Sequence, residues 1–200
     1  MELFKKIKKW RNVLKRLSGH GIYPYEMAFL LDNPIRKIIL PPNKLVDRLN
    51  LKDNSGVLEI GSGPGYFVIE TARRIPNGHL FSFDIQIEML IKSKQKLLKT
   101  NLNNVFAVGG NATALPFRNN IFDVVFLVTV LGEVSETKKC LTSINHVLRP
   151  GGTLSITEMK GDPDLLNEKE VKEIAIRSGF QLSEKFSSFK GYTLNFIKIF

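Results

Sequence analysis

A glycine-rich turn between a short apolar run and a helical pattern constrains this chain more than any other feature. The run is Val57–Ile60, and the turn after it reads Gly61-Ser62-Gly63-Pro64-Gly65. Glycines allow a tight backbone turn and let a ligand approach without meeting a Cβ atom. The start of the following helix offers free N–H groups and partial positive charge, which suit a phosphate or a carboxylate. The turn therefore predicts a strand–loop–helix unit that binds an anionic group.

The spacing of these glycines differs from that of two familiar nucleotide-binding turns. A dinucleotide-binding turn reads Gly-x-Gly-x-x-Gly, and Tyr66 stands where its third glycine belongs. This residue counts against an NAD-dependent dehydrogenase. A P-loop would end in Gly-Lys-Ser/Thr, which is absent here. Glu59, two residues before the first glycine, could face an ammonium group. A plain structural turn remains the alternative to a binding loop.

From residue 56 onward, short apolar runs alternate with helical patterns. Such alternation predicts an α/β fold, a three-layer Rossmann-like arrangement with a mostly parallel sheet and helices on both faces. Two runs that flank Lys190-Gly191 predict an antiparallel hairpin at the C-terminal end of the chain. The predicted strands are 57–60, 79–83, 104–108, 122–128, 153–158, 181–189 and 192–200, and the predicted helices are 66–75, 87–98, 137–148 and 168–177.

An acid follows the second predicted strand, at the place where sheets of this kind bind ligands. Asp84 lies 23 residues after Gly61. Ligands of open α/β sheets bind beyond the carboxyl ends of the strands, and an acid there accepts hydrogen bonds from ribose hydroxyl groups. An aspartate at a strand end also commonly caps the next helix. Its combination with the glycine turn favours the binding role.

Three more motifs follow in order: Gly110-Asn111-Ala112-Thr113-Ala114-Leu115-Pro116-Phe117, Phe122-Asp123-Val124-Val125, and Arg149-Pro150-Gly151-Gly152. With the glycine turn and Asp84, they make the chain resemble the class I (Rossmann-like) S-adenosylmethionine-dependent methyltransferases. The resemblance is greatest to the small-molecule and lipid-acting group near the ubiquinone/menaquinone methyltransferases. It covers residues 50–200. We therefore predict a methyltransferase domain over 50–200 and an N-terminal helical extension over 1–49.

The resemblance implies a cofactor, S-adenosyl-L-methionine, which leaves as S-adenosyl-L-homocysteine, and a set of residues that bind it. The family usually has aspartate where Asn111 stands, but an asparagine oxygen can still accept a hydrogen bond from the adenine amino group. The implied residues are Glu59, Gly61, Ser62 and Gly63 at the methionine end, Gly65 in the same turn, Asp84 and Ile85 at the ribose and adenine, Asn111 and Ala112 at the adenine edge, and Val128 at the end of the fourth strand.

The catalytic residues are harder to assign, because a sulfonium methyl group is already activated for direct SN2 transfer. The protein mainly aligns the nucleophile, the methyl carbon and the leaving sulfur. A general base is required only if the nucleophile arrives protonated. The candidates are Glu133, His20 and Tyr23, although Glu133 could equally be a solvated acid that caps the next helix. The three histidines do not cluster in sequence, so we predict no metal.

The positive charge of the chain is concentrated at its start. The net charge is +10, and residues 1–17 contain seven lysines and arginines against one acid, Glu2. Apolar residues at helical spacing share one face of a predicted basic amphipathic helix over 3–17. This helix could pack on the catalytic domain, lie on an anionic membrane, or hold RNA phosphates. The apolar residues are Leu3, Ile7, Trp10, Leu14 and Leu17.

The function that these features favour is S-adenosylmethionine-dependent methyl transfer to a small-molecule or lipid-like acceptor. Two alternatives stay open: an RNA or protein methyltransferase recruited by the basic helix, and a non-catalytic binding protein with a nucleotide fold. Nucleic acid is the less favoured partner, because the body lacks a recognised RNA-binding pattern. A lone cysteine, Cys140, fits a reducing cytoplasm, with peripheral contact at the inner membrane surface through residues 1–17. The acceptor and the oligomeric state do not follow from the sequence.

Overall fold

A computed structural model describes residues 22–31, 38 and 40–199. The predicted helix 3–17 and the catalytic candidate His20 lie outside the described residues. A 3₁₀ turn, Tyr25–Met27, leads into helix α1 (Ala28–Leu31), and helix α2 spans Pro42–Asp47. These pieces precede the main sheet in the chain. The division into an extension over 1–49 and a domain over 50–200 stays a prediction.

The described residues form one seven-stranded sheet with the order β3-β2-β1-β4-β5-β7-β6. Strands β1 to β5 run parallel, and β7 lies antiparallel between β5 and β6. The predicted α/β fold with a C-terminal antiparallel hairpin is therefore confirmed. The strands are β1 (Gly56–Ile60), β2 (His79–Asp84), β3 (Val105–Gly109), β4 (Phe122–Val128), β5 (Leu148–Met159), β6 (Phe180–Ser188) and β7 (Gly191–Lys198).

Helices cover both faces of the sheet. Successive residues of a strand point to opposite faces, so each face of the sheet has its own apolar core. Leu58 of β1 joins an apolar core that includes residues of the helices Thr137–Val147 and Glu168–Arg177. Its neighbour Val57 joins a second core that includes residues of α2 and of the helix Val68–Arg74. The sheet is therefore the middle of three layers. The helices that follow α2 are α3 (Val68–Arg74), α4 (Ile87–Leu97), α5 (Thr137–Val147) and α6 (Glu168–Arg177).

Strand β5 begins earlier than the sequence pattern indicates. The sequence predicts a strand only from residue 153, after the Arg149-Pro150-Gly151-Gly152 motif, whereas β5 starts at Leu148. Leu148 pairs with Phe122, and the register then shifts before Val124 pairs with Thr153. Gly151 has a φ of +74° at this irregularity. The glycines therefore provide a bulge within the strand pair, which breaks the alternating pattern that marks a regular strand.

The order of the strands places a binding site between β1 and β4. The chain moves outward from β1 to β3 and then returns to lay β4 on the other side of β1. Such a reversal opens a crevice at the carboxyl ends of the two central strands. No helix of the described residues has both the length and the apolar character of a membrane span.

Candidate functional site

An open cleft of about 220 Å³ lies at the carboxyl ends of β1, β2 and β4. The loops after these strands form its floor, and part of the segment 22–31 forms a wall. The cleft brings together nine of the ten residues predicted to bind the cofactor, namely Glu59, Gly61, Ser62, Gly63, Asp84, Ile85, Asn111, Ala112 and Val128.

The glycine turn is fixed against the end of β2 by backbone hydrogen bonds. The N–H groups of Gly61 and Ser62 both donate to the carbonyl oxygen of Phe83, at 2.8 and 3.1 Å. Gly61 has a φ of +68°, and a Cβ atom there would lie 2.3 Å from Cγ2 of Val130. The position therefore requires glycine both for its backbone conformation and for the approach of the loop after β4.

Gly65, the tenth predicted residue, does not line the cleft. Its φ is +78°, and a Cβ atom would lie 2.3 Å from the hydroxyl oxygen of Ser93 in α4. Gly65 therefore lets the glycine turn pack tightly against a helix. The sequence pattern does not distinguish this role from ligand contact, because both require a residue without a side chain.

Asp84 holds the floor of the cleft together through both carboxylate oxygens. Its Oδ2 accepts from the N–H of Gly63 at 2.8 Å, and its Oδ1 accepts from the N–H of Gln86 at 2.8 Å. Burial raises the pKa of Asp84, while hydrogen bonds from the backbone of Gln86, Gly63 and Ile85 act in the opposite direction. A carboxylate has about four acceptor positions, so further positions remain for hydroxyl groups of a ligand.

The loop after β3 forms the far end of the cleft. The N–H of Gly110 donates to the carbonyl oxygen of Asp84 at 3.1 Å, which joins this loop to β2. Asn111 is exposed, and its Oδ1 accepts from the N–H of Thr113 at 3.0 Å. Ala112 is buried, whereas Ile85 is half exposed. This end of the cleft is apolar with an open edge.

Two of the three catalytic candidates meet at the wall of the cleft. The backbone N–H of Tyr23 donates to Oε2 of Glu133 at 3.0 Å, and the Tyr23 hydroxyl donates to the carbonyl oxygen of Met27 at 3.3 Å. Both residues line the cleft. Glu136, not Glu133, occupies the N-cap position of α5. Glu133 therefore anchors the segment 22–31 instead of capping the helix.

Gln86 is a cleft residue that sequence reasoning missed. Its Nε2 donates to the carbonyl oxygen of Tyr23 at 2.7 Å, and its Oε1 accepts from the N–H of Tyr25 at 3.2 Å. Lys92 of α4 adds a hydrogen bond to the carbonyl oxygen of Tyr25 at 2.7 Å. The side-chain amide of Gln86 thus both donates to and accepts from the backbone of the segment 22–31, as a neighbouring β-strand would. Its only sequence signal is its place two residues after Asp84.

Replacing Gln86 with glutamate is expected to loosen the segment 22–31. A carboxylate can still accept from Tyr25, but it cannot donate to the carbonyl oxygen of Tyr23 and repels it instead. We expect hydrogen exchange of the Tyr25 amide to rise about tenfold, which corresponds to about 1.4 kcal/mol. Gln181→Glu, at an exposed site on β6, is the control. Equal exchange in both variants would show that Gln86 does not hold the segment.

A buried carboxyl group, Glu158, lies near the other end of the cleft. It is 1% exposed, and its Oε1 has no hydrogen-bond partner among the described residues. Burial raises the pKa of Glu158 to about 8, with smaller contributions from the negative charges of Asp162, Glu133 and Asp164. Among the described residues, no group of three histidine, cysteine, aspartate or glutamate side chains is arranged to hold a metal ion.

Glu158 is joined to the cleft through the end of β4. The N–H of Thr129 donates to the carbonyl oxygen of Thr157 at 2.8 Å, directly before Glu158. Thr129 lines the cleft and has a φ of +54°, which is rare for a β-branched residue. The sequence predicts 153–158 as a strand, and nothing in that pattern distinguishes the acid at its last position.

The strand order, the glycine turn and the acid after β2 make this the fold and the cleft of the class I (Rossmann-like) S-adenosylmethionine-dependent methyltransferases. The chain belongs to the methyltransferase-domain family, because the family model described as "Methyltransferase domain" matches residues 51–189. The predicted class and its cofactor, S-adenosylmethionine, are thereby confirmed. The residue assignments within the cleft stay predictions.

Known proteins similar to this chain agree with that family. A demethylmenaquinone methyltransferase of Listeria monocytogenes is 30% identical over 148 residues, which are 72% of this chain and 62% of the relative. A ubiquinone/menaquinone biosynthesis C-methyltransferase of Pasteurella multocida is 35% identical over 115 residues, 56% of this chain and 43% of the relative. The chain thus spans less than two thirds of either relative. A crystal structure of an S-adenosylmethionine-dependent methyltransferase from Aquifex aeolicus has the same fold, with a TM-score of 0.84, 23% identity, and coverage of 89% of this chain and 100% of that one.

Proposed function

We propose that this chain transfers the methyl group of S-adenosylmethionine to a small-molecule or lipid-like acceptor. The observation that carries the proposal is the pair of acids on either side of the glycine turn. Glu59 and Asp84 are 3% and 6% exposed, and both line the cleft at the ends of adjacent strands. A ligand that joins an amino acid to a nucleoside has an ammonium group for one carboxylate and ribose hydroxyl groups for the other.

The groups of the cleft fit S-adenosylmethionine part by part. The carboxylate of Glu59 suits the ammonium group, and Gly63 of the glycine turn lines the cleft without a side chain. Asp84, already fixed by two backbone hydrogen bonds, suits the ribose hydroxyl groups. The apolar surface of Ile85 and Ala112 suits the adenine ring. The cofactor supplies an activated methyl group, so the protein has to hold the acceptor in line with it.

The acceptor end of the cleft favours an apolar acceptor. Its described wall contains Val128, Val130 and Val134 from the loop after β4, and Ile22 and Leu31 from the opposite segment. Binding sites for small molecules are mostly apolar with a few placed polar groups, and Glu133 is such a group here. The relatives are named for quinone-type acceptors. We therefore propose a quinone-like ring or a related amphiphile, with Glu133 and Tyr23 as candidates to orient it.

Calorimetric titration with S-adenosylmethionine and S-adenosylhomocysteine tests the cofactor. We expect micromolar binding of both. The acceptor is then tested by transfer of a radiolabelled methyl group to reduced demethylmenaquinone, and to lipid, protein and RNA fractions of a cell extract. Label in protein or RNA alone would support the alternative of a macromolecular methyltransferase recruited by its basic helix. Cofactor binding without transfer to any fraction would support a non-catalytic binding protein.

We also propose that residues 1–17 hold the protein at an anionic membrane surface. The support is the sequence itself, with seven basic residues around an apolar stripe that contains Trp10 and Leu14. Each basic residue near such a surface contributes about 1 kcal/mol of attraction. Deletion of residues 1–17 is expected to weaken vesicle binding and to leave S-adenosylhomocysteine binding intact. A truncated protein that unfolds would show that the helix packs on its own domain.

A further inference from the structure

A second cleft, of about 230 Å³, lies on the sheet between α2 and the β6–β7 hairpin. Its described lining contains three cationic side chains, Lys44, Arg48 and Lys190, and no acidic one. Arg48 is oriented by a hydrogen bond from its Nη1 to the hydroxyl of Thr193 at 2.7 Å, and it lies 5.2 Å from the ring centre of Phe186. The cleft is therefore suited to anionic groups.

The rim of this cleft carries the two most exposed of the large apolar side chains near it. Phe189, at the tip of the hairpin, is 81% exposed, and Ile38 is 76% exposed. The Nζ atom of Lys190 donates to the carbonyl oxygen of Ile38 at 3.3 Å and lies 5.4 Å from the ring centre of Phe189. Lys190 thus joins the two apolar groups into one surface, which we call the hairpin surface: Ile38, Lys44, Phe189 and Lys190.

The hairpin surface adjoins the site of the proposed methyl transfer. Leu40 lines the second cleft, and its carbonyl oxygen accepts from the hydroxyl of Tyr66 at 3.0 Å. Tyr66 itself lines the first cleft. Among the described residues, the contact between Leu40 and Tyr66 therefore joins the linings of the two clefts.

We propose that the hairpin surface docks on an anionic lipid membrane, with Phe189 and Ile38 among the lipids and Lys44 and Lys190 at the head groups. Exposed aromatic and aliphatic side chains flanked by lysines are the composition of interfacial membrane contacts, since lysine stems lie along apolar surface while the ammonium stays in water. The proposal deepens the lipid-like acceptor proposed above and rests on it, because such docking would bring the acceptor cleft to the source of its substrate.

A fluorescent label near the hairpin tip tests this contact directly. Cys140 is fully buried, and burial raises the pKa of its thiol to about 12, so an introduced cysteine is the reactive one. Ser187→Cys carries a polarity-sensitive label beside the tip, and Lys172→Cys on α6 carries it at the control site. We expect a blue shift at position 187 with phosphatidylcholine vesicles that contain phosphatidylglycerol, and none at position 172.

Removal of the aromatic ring supplies a second measurement. Phe189→Ser is expected to weaken partition of the full chain onto the anionic vesicles about tenfold. The matched control is Leu98→Ser, which removes another highly exposed apolar side chain, at the end of α4. No shift at position 187, equal shifts at both labels, or equal partition of the two serine variants would overturn the proposal.

Titration of the same samples with S-adenosylhomocysteine keeps this test separate from that of the proposed function. Cofactor binding without a shift at position 187 would overturn the docking surface alone. Absence of cofactor binding would overturn the proposed methyl transfer, and with it the reason to dock here.

Discussion

Replacing Asp84 with asparagine is expected to weaken binding of S-adenosylhomocysteine about 100-fold, which corresponds to about 2.7 kcal/mol. Both carboxylate oxygens of Asp84 accept backbone N–H groups, from Gly63 and from Gln86. Asparagine has one acceptor oxygen, so its amide NH₂ must face one of these donors and leave it unsatisfied. The variant therefore both displaces the glycine turn and removes the charge that would bind the ribose.

The matched control is Asp123→Asn, on the opposite end of the sheet. Asp123 also accepts a backbone N–H, from Gly56 at 2.7 Å, but it lies outside the cleft lining. We expect this control to lower the melting temperature and to leave calorimetric affinity unchanged. Asp84→Asn binding as tightly as the wild-type protein would refute the ribose assignment. Comparison of melting temperatures without ligand separates loss of affinity from loss of folding.

Replacing Glu158 with glutamine is expected to remove a large pH dependence of stability. The pKa of Glu158 in the folded protein is about 8, whereas the ordinary value is 4.5. Below pH 4.5 the carboxyl group is protonated in both states and contributes no pH dependence. Between these values only the unfolded chain ionises fully, so the free energy of unfolding falls as the pH rises. The total loss from this group is on the order of 5 kcal/mol.

Urea unfolding at several pH values between about 5 and 9 measures this effect. We expect Glu158→Gln to be close to wild type in stability at the acidic end and to become the more stable protein as the pH rises. Glu173→Gln, at an exposed position on α6, should follow the wild-type curve throughout. Parallel curves for the wild-type protein and Glu158→Gln would show that Glu158 ionises as readily in the folded state as in the unfolded chain.

The fold follows from the sequence because its signals are local. Apolar runs of strand length, glycines after β1 and the alternation with helices each depend on neighbouring residues, and together they leave one topology. Nine predicted residues line one cleft because they lie at or just after the carboxyl ends of parallel strands. These ends lie along the same edge of the sheet. The start of β5 was misplaced, because the bulge near Gly151 depends on pairing with β4.

The residues that the sequence does not reveal act through contacts across the fold. Gln86 has its role because the segment 22–31 returns over the cleft, and no local pattern records that return. Glu158 is unusual because it is buried in the folded protein near Glu133, Asp162 and Asp164, acids of the loops after β4 and β5. Gly65 is the opposite case, a residue that the sequence assigns to the wrong neighbour. The glycine motif is strong, but it does not show whether a glycine faces a ligand or, as here, Ser93 of α4.

The open adenine end of the cleft has a consequence for the design of cofactor analogues. Ile85 is half exposed, and the amide of Asn111 is exposed and bonded to its own loop through Thr113. By contrast, Glu59, Ser62 and Asp84 are buried, and both carboxylate oxygens of Asp84 accept hydrogen bonds from backbone N–H groups. With the cofactor placed as proposed, bulky substituents on the adenine ring extend into solvent, whereas larger groups on the methionine or ribose require the surrounding protein residues to be changed as well.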